Sequence, residues 1–206
     1  MSEELMIREA SPTLAGIKTG SLFNCAFNDR DELLADIRNM NHSLLEKGLC
    51  MLPLRFDEGS VLIYLFRAGL LRKDLADAES VRILKEAGYR QPAYPYCLTE
   101  LGRRLNAKNG FPHEIGLFLG YPPEDVRGFI ENRAKGSRLT GYWKVYGDVN
   151  AAKKRFEAFR KCTDYFSRQF ERGHTVLQLA ADYVICNDAP DDDAKAKCEA
   201  LGAALG

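Results

Sequence analysis

The 206 residues carry 29 Lys and Arg against 29 Asp and Glu, a formal net charge of zero, and 46% of them are hydrophobic. That balance excludes collagen-like and disordered classes and argues against nucleic acid as the main partner, which calls for a basic excess or face. The acidic start Met1-Ser2-Glu3-Glu4 lacks the positive and apolar parts of a secretory signal, and no apolar run is long enough to span a bilayer, so the expectation is a cytoplasmic chain without a membrane partner.

In chain order, Ser2 is placed to cap a short helix ending near Ala10. Ser11-Pro12 then reads as a fresh N-cap followed by proline at the first helical position, and Gly20 closes that turn. Residues 21–27 form a short apolar run between turn signals, which reads as a strand. Asn28-Asp29 open a helix to about Lys47, with Leu33, Ile37, Met40 and Leu44 at helical spacing and Gly48 after its end. Residues 49–56 and 61–67 are β-rich runs joined by Asp57-Glu58-Gly59-Ser60, so they pair as an antiparallel hairpin. Helices are expected over 78–87, 97–107, 112–119 and 123–133, with a proline-containing loop before the second. Residues 138–146 read as a fourth strand, and Asp148 caps a long helix to about Arg172.

That helix carries a stripe of Phe156, Phe159, Phe166 and Phe170, and pairs Glu157 with Lys161 and Asp164 with Arg168 at i,i+4. Interleaved charges of this kind make a solvated face rather than a nucleic-acid surface. Residues 175–185 are apolar enough for one more packed helix or strand. The fold class expected is α+β: a small, mostly antiparallel sheet of about four strands packed with several helices. It would form one compact domain over 1–186, followed by an acidic, Ala-rich tail or short helix over 187–206.

The chemistry-bearing residues are few. Cys25, Cys50, Cys97, Cys162, Cys186 and Cys198 include no C-x-x-C pair and read as reduced, mostly buried apolar groups. His113-Glu114 begins like a zinc-protease motif, but the position of the second histidine is Leu117. No phosphate-binding G-x-x-x-x-G-K-S/T, dinucleotide G-x-G-x-x-G or nucleophile-elbow G-x-S-x-G occurs. Residues 114–133 have the outline of a helix-turn-helix, with Ile115, Leu119, Val126 and Ile130 as its seam. Glu124 and Asp125 stand where phosphates would have to approach, which favours a packed helical hairpin over DNA binding.

The candidate catalytic groups are then His113 and Glu114, at a proline-started helix end whose dipole favours neutral imidazole. His113 and Cys25 are the candidate metal ligands. Strand alternation puts Tyr142, Lys144 and Tyr146 on one face and Trp143 with Val145 on the other, so Lys144 between two tyrosines suits an anionic or planar ligand. Arg67, Lys18 and Asn24 are further candidate ligand-binding residues. The bland counterparts are a capped helix bearing a surface histidine and a solvated sheet face. Three functions follow: a small-molecule or cofactor-binding protein whose pocket joins the His113 and Lys144 segments, a non-catalytic regulatory or interaction protein, and helix-turn-helix DNA binding. No particular cofactor is indicated.

Residues 111–122, from Phe111-Pro112-His113-Glu114 to Gly120-Tyr121-Pro122, with Glu124-Asp125-Val126, Gly128-Phe129-Ile130 and Gly141-Tyr142-Trp143-Lys144-Val145-Tyr146, resemble the bacterial domain-of-unknown-function family 3793. The resemblance runs from about Ser11 to Gly173 and includes Cys97, Phe156 and Cys162. It implies no established activity. A place near iron-uptake and flavodoxin genes, which the family would imply, would favour a redox- or metal-linked role.

Overall fold

The computed structural model describes residues 2–91, 93–107 and 110–181; the 187–206 segment lies outside them. Helix α1 (Glu3–Leu14) runs unbroken through Pro12. The expected break at Ser11-Pro12 does not occur, because Met6, Ile7, Ala10 and Leu14 bury one continuous stripe across it. Pro12 removes only the bond to the Arg8 carbonyl, while the Ser11 hydroxyl donates to the Ile7 carbonyl beside it.

Three strands follow the expected order: β1 (Gly20–Ala26), β2 (Leu49–Asp57) and β3 (Ser60–Arg67). They form an antiparallel sheet in the order β1-β3-β2. The central strand is buried on both faces, hence its nearly unbroken apolar sequence. Leu62, Tyr64 and Phe66 point into one core cluster, and Val61, Ile63 and Leu65 into another. The β2 edge is blunted by side chains. From α2 (Arg30–Glu46), capped by Asp29, the Asn41 amide pairs with both the N–H and the carbonyl of Met51, and Asn106 donates to the Leu54 carbonyl. Pro53 sits at the bulge in that strand.

Beyond β3 the chain enters α3 (Ala68–Ala76) directly, then α4 (Ala78–Glu86) and α5 (Tyr94–Leu105). Helix α3 has no expected counterpart: no glycine or polar cap separates it from β3, and the apolar run continues through the boundary. Helix α6 is only Ile115–Phe118, so His113 and Glu114 precede it instead of lying in its first turn. The dipole expected to act on His113 is therefore that of a single helical turn. Helix α7 (Pro123–Glu131) starts on proline as expected.

The fourth strand is also corrected. Residues 138–146 form a separate tight hairpin of β4 (Leu139–Thr140) and β5 (Lys144–Val145). Gly141 makes the bend, and a Cβ there would stand 2.2 Å from the Phe156 ring. Helix α8 (Val149–Glu171), capped by Asp148, carries the expected phenylalanine stripe but divides it. Phe156 and Phe159 pack with Trp143 and Val145, while Phe166 and Phe170 join the cluster of α1 and α2. Helix α9 (Val176–Leu179) starts with a reciprocal capping box between Thr175 and Gln178. Among the described residues, no helix is long and apolar enough to cross a membrane.

Candidate functional site

The hairpin is held by one buried carboxylate. Asp125, 3% exposed in the first turn of α7, accepts the Trp143 indole N–H at 2.7 Å through Oδ2. Its Oδ1 accepts the backbone N–H groups of Tyr146 at 2.7 Å and Gly147 at 2.8 Å. The acid that seemed placed to repel phosphates is therefore interior, and it fixes the hairpin against α7. Arg127, the basic residue next along, is tied to Glu79, Glu86 and Glu131.

With the hairpin pinned in this way, the Trp143 ring stacks on Tyr121, centroids 4.9 Å apart and planes 27° apart. Tyr121 lies just past Gly120, whose positive φ of 73° lets the chain leave α6 and return the Tyr121 N–H to the Gly116 carbonyl at 2.9 Å. Across from this pair, the His113 ring meets Phe129 edge-on at 5.1 Å. Between them lies a cavity of about 380 Å³. Phe111 and Tyr142 stand at its rim, 51% and 44% exposed. Among the described residues, no protein group hydrogen-bonds the His113 imidazole.

Glu114 turns the other way. It is 6% exposed, accepts from the Tyr89 hydroxyl at 3.2 Å and lies 3.4 Å from an Arg104 nitrogen. His113 and Glu114 both line a second, more polar cavity of about 510 Å³, but only His113 reaches the aromatic one. The family model described as a protein of unknown function, DUF3793, matches residues 6–180. The chain belongs to this family. No curated protein and no solved structure matches it. The DUF3793 match takes in every wall of the aromatic cavity and both helices that carry its supporting carboxylate and phenylalanines.

The other sequence candidates are distributed unevenly. Tyr142 and Lys144 line the aromatic cavity with His113. Lys144 donates to the Ala134 carbonyl at 2.6 Å, which ties the hairpin to the chain after α7. Tyr146 packs against Gly128, where a Cβ would stand 2.4 Å from its ring, and its hydroxyl is buried without a partner among the described residues. Arg67 lies at the far end of β3, donating to the carbonyls of Thr13, Leu14, Lys47 and Ala181. Asn24 is exposed on β1.

The two metal candidates are apart. Cys25 packs in the cluster on the α1 and α2 side of the sheet, whereas the helix following His113 packs in the opposite one. No group of three His, Cys, Asp or Glu among the described residues is arranged to hold a metal ion. Burial pushes the Cys97 and Cys162 thiols up to about 11 and raises Cys25, so none is poised as a thiolate at neutral pH.

Sequence reasoning missed Trp143, Tyr121, Phe129 and Asp125 as site residues. The one available signal was their shared place in the aromatic-rich segments 111–129 and 141–146.

Lys18 is 9% exposed, donates to Ser21 Oγ at 3.3 Å and stands 5.8 Å from the Tyr121 ring centre. Burial, helped by the nearby Arg155 charge, lowers its ammonium from 10.5 to about 8. The unfolded chain keeps that proton until about 10.5 and therefore binds more protons across the interval, so folding stability rises with pH from about 8 to 10.5. Below that window the burden of the buried charge is complete, on the order of 3 kcal/mol. Lys18→Met is thus expected to stabilise the protein at pH 7 by about 1–3 kcal/mol, with the two stability curves converging as pH rises towards 10.5. Urea denaturation across pH checks this. Groups that titrate alike in both proteins cancel in the difference, and parallel curves would exclude a charged, buried Lys18.

Proposed function

We propose that the cavity between α6, α7 and the hairpin binds a small planar, largely uncharged molecule, with His113 as the hydrogen-bonding or acid–base group facing it. The observation that carries this reading is the stacked Tyr121–Trp143 pair set against Phe129 and His113 around a cavity of about 380 Å³. Aromatic walls offer large contact area and ring-on-ring geometry to a flat ligand, and a small number of polar groups then orient it. Charge is the weaker handle. The Lys144 ammonium is engaged by a backbone carbonyl, and the Asp125 carboxylate by three N–H donors. The planar half of the expected anionic-or-planar ligand is thus the better supported.

A redox role enters this reading only if the planar molecule is itself a redox cofactor ring. A metal-linked role has less support, since among the described residues neither His113 nor Cys25 belongs to a group of three His, Cys, Asp or Glu placed to hold an ion. The exposed rim favours one second reading, a non-catalytic interaction protein that receives an aromatic side chain of a partner between Phe111 and Tyr142.

A neutral bicyclic probe such as quinoline tests the first reading by calorimetry. Phe111→Ala removes a half-exposed rim side chain, so stability is expected to change by no more than about 0.5 kcal/mol. Affinity for the probe is expected to fall roughly five- to fiftyfold. Equal affinity in the variant, or no binding to either protein, would contradict it.

A further inference from the structure

We propose that a third cavity, of about 620 Å³ between the loop after α1, helix α3 and the Gly120 turn, binds a small zwitterion of the α-amino-acid class, its carboxylate on Arg155 and its ammonium on Asp74. The site is separate from the aromatic cleft, although Tyr121 borders both.

Arg155 reaches in from α8. Its guanidinium lies over the Trp143 ring at 5.1 Å, and one terminal nitrogen donates to the Gly120 carbonyl at 2.8 Å. Asp74 faces in from α3, and one of its oxygens accepts the Thr19 hydroxyl. Among the described residues neither Arg155 nor Asp74 is in ion-pair contact with an opposite charge, yet both line the same cavity. Each is close enough to bias the ionisation of the other. Burial disfavours the charged form of both, raising the Asp74 carboxyl and lowering the Arg155 guanidinium.

A cation and an anion that line one cavity, each partly desolvated and neither closed into an ion pair among the described residues, select a ligand that carries both charges. A simple anion would satisfy Arg155 but face Asp74, and a simple amine would do the reverse. Lys18 adds positive potential at the Arg155 end. Of the other charges on the lining, Asp77 Oδ1 caps α4 through the N–H groups of Glu79 and Ser80, and Lys73 is exposed to solvent, which screens its pull on Asp74. Ile17 and Leu70 supply an apolar wall for a side chain. Gly120 closes one end, where a Cβ would stand 2.5 Å from Thr19 Oγ1 and 3.3 Å from Asp74 Oδ2.

The test is binding of L-leucine to the full chain by ligand-observed NMR and thermal shift, with isovalerate and isoamylamine as single-charge probes at matched ionic strength. L-leucine is expected to bind saturably, and each single-charge probe at least about tenfold more weakly. Asp74→Asn, which keeps the shape and the Thr19 contact, and Arg155→Gln should each weaken L-leucine at least about tenfold. Quinoline binding to Asp74→Asn should be unchanged, which separates this site from the aromatic cleft and confirms the fold. Isovalerate binding as tightly as L-leucine, an unaffected Asp74→Asn, or no saturable L-leucine binding to the wild type would overturn the proposal.

Discussion

Asp125→Ala is expected to destabilise the protein by about 3–5 kcal/mol and to shift the Trp143 emission to the red. The carboxylate is 3% exposed and accepts three N–H bonds of 2.7–2.8 Å from Trp143, Tyr146 and Gly147. Removing it leaves the buried Trp143 N–H and two half-buried backbone N–H groups without acceptors, and each such loss costs up to about 1–3 kcal/mol. The hairpin it holds has only two residue pairs of its own, so nothing local replaces the clamp. Asp125→Asn retains one acceptor oxygen but points an amide N–H₂ at one set of donors, and about 2 kcal/mol is expected. Chemical denaturation gives the energies. Trp143 is the single tryptophan of the chain, so its emission reports the hairpin without interference. A loss below about 1 kcal/mol for Asp125→Ala, with unchanged emission, would show that the hairpin is held by its aromatic packing alone.

Arg67→Ala is expected to have an effect of similar size, about 3–5 kcal/mol, for a different reason. Arg67 is 2% exposed, and its guanidinium gathers carbonyls from the end of α1, the cap of α2 and the segment after α9. Helix ends leave carbonyls without intrahelical partners, and a cation there also opposes the negative end of each dipole. One planar fork with five donors can serve several such ends at once. Arg67→Lys keeps the charge but has one nitrogen in place of three, so less than half of the loss is expected to be restored. Equal stability of the lysine variant and the wild type would mean that charge alone matters there.

These two residues show where sequence reading reaches and where it stops. Asp29 and Asp148 were legible as helix caps because a cap is a contact between residues two or three apart. The β2–β3 hairpin was legible because its turn joins neighbouring apolar runs. The α+β class, the long α8 and the alternating burial of Trp143 and Val145 were read from the same short-range periodicities.

What was not legible depends on residues far apart in the chain. Pro12 stays inside α1 because that helix buries a stripe against later elements, and tertiary packing outweighs the local rule. Residues 138–146 read as one strand because their apolar alternation is real, but Gly141 bends them onto Phe156, a residue of the next helix. Asp125 looked like a surface acid because its partners lie 18 to 22 positions onward. Arg67 looked free for a ligand for the same reason, since the carbonyls that it serves are set only by the fold. The aromatic cleft was half visible: His113, Tyr142 and Lys144 were singled out from sequence, while the stacked pair that gives the cleft its shape was not.

Titration of the protein with quinoline, followed through the emission of Trp143, tests whether the aromatic cleft takes a planar ligand. A saturable change with one site per chain is expected, shifted to higher concentration in Phe111→Ala. Emission that falls only in proportion to quinoline, with no plateau, or a plateau at the same concentration in the wild type and Phe111→Ala, would contradict a planar-ligand site at the Tyr121–Trp143 wall.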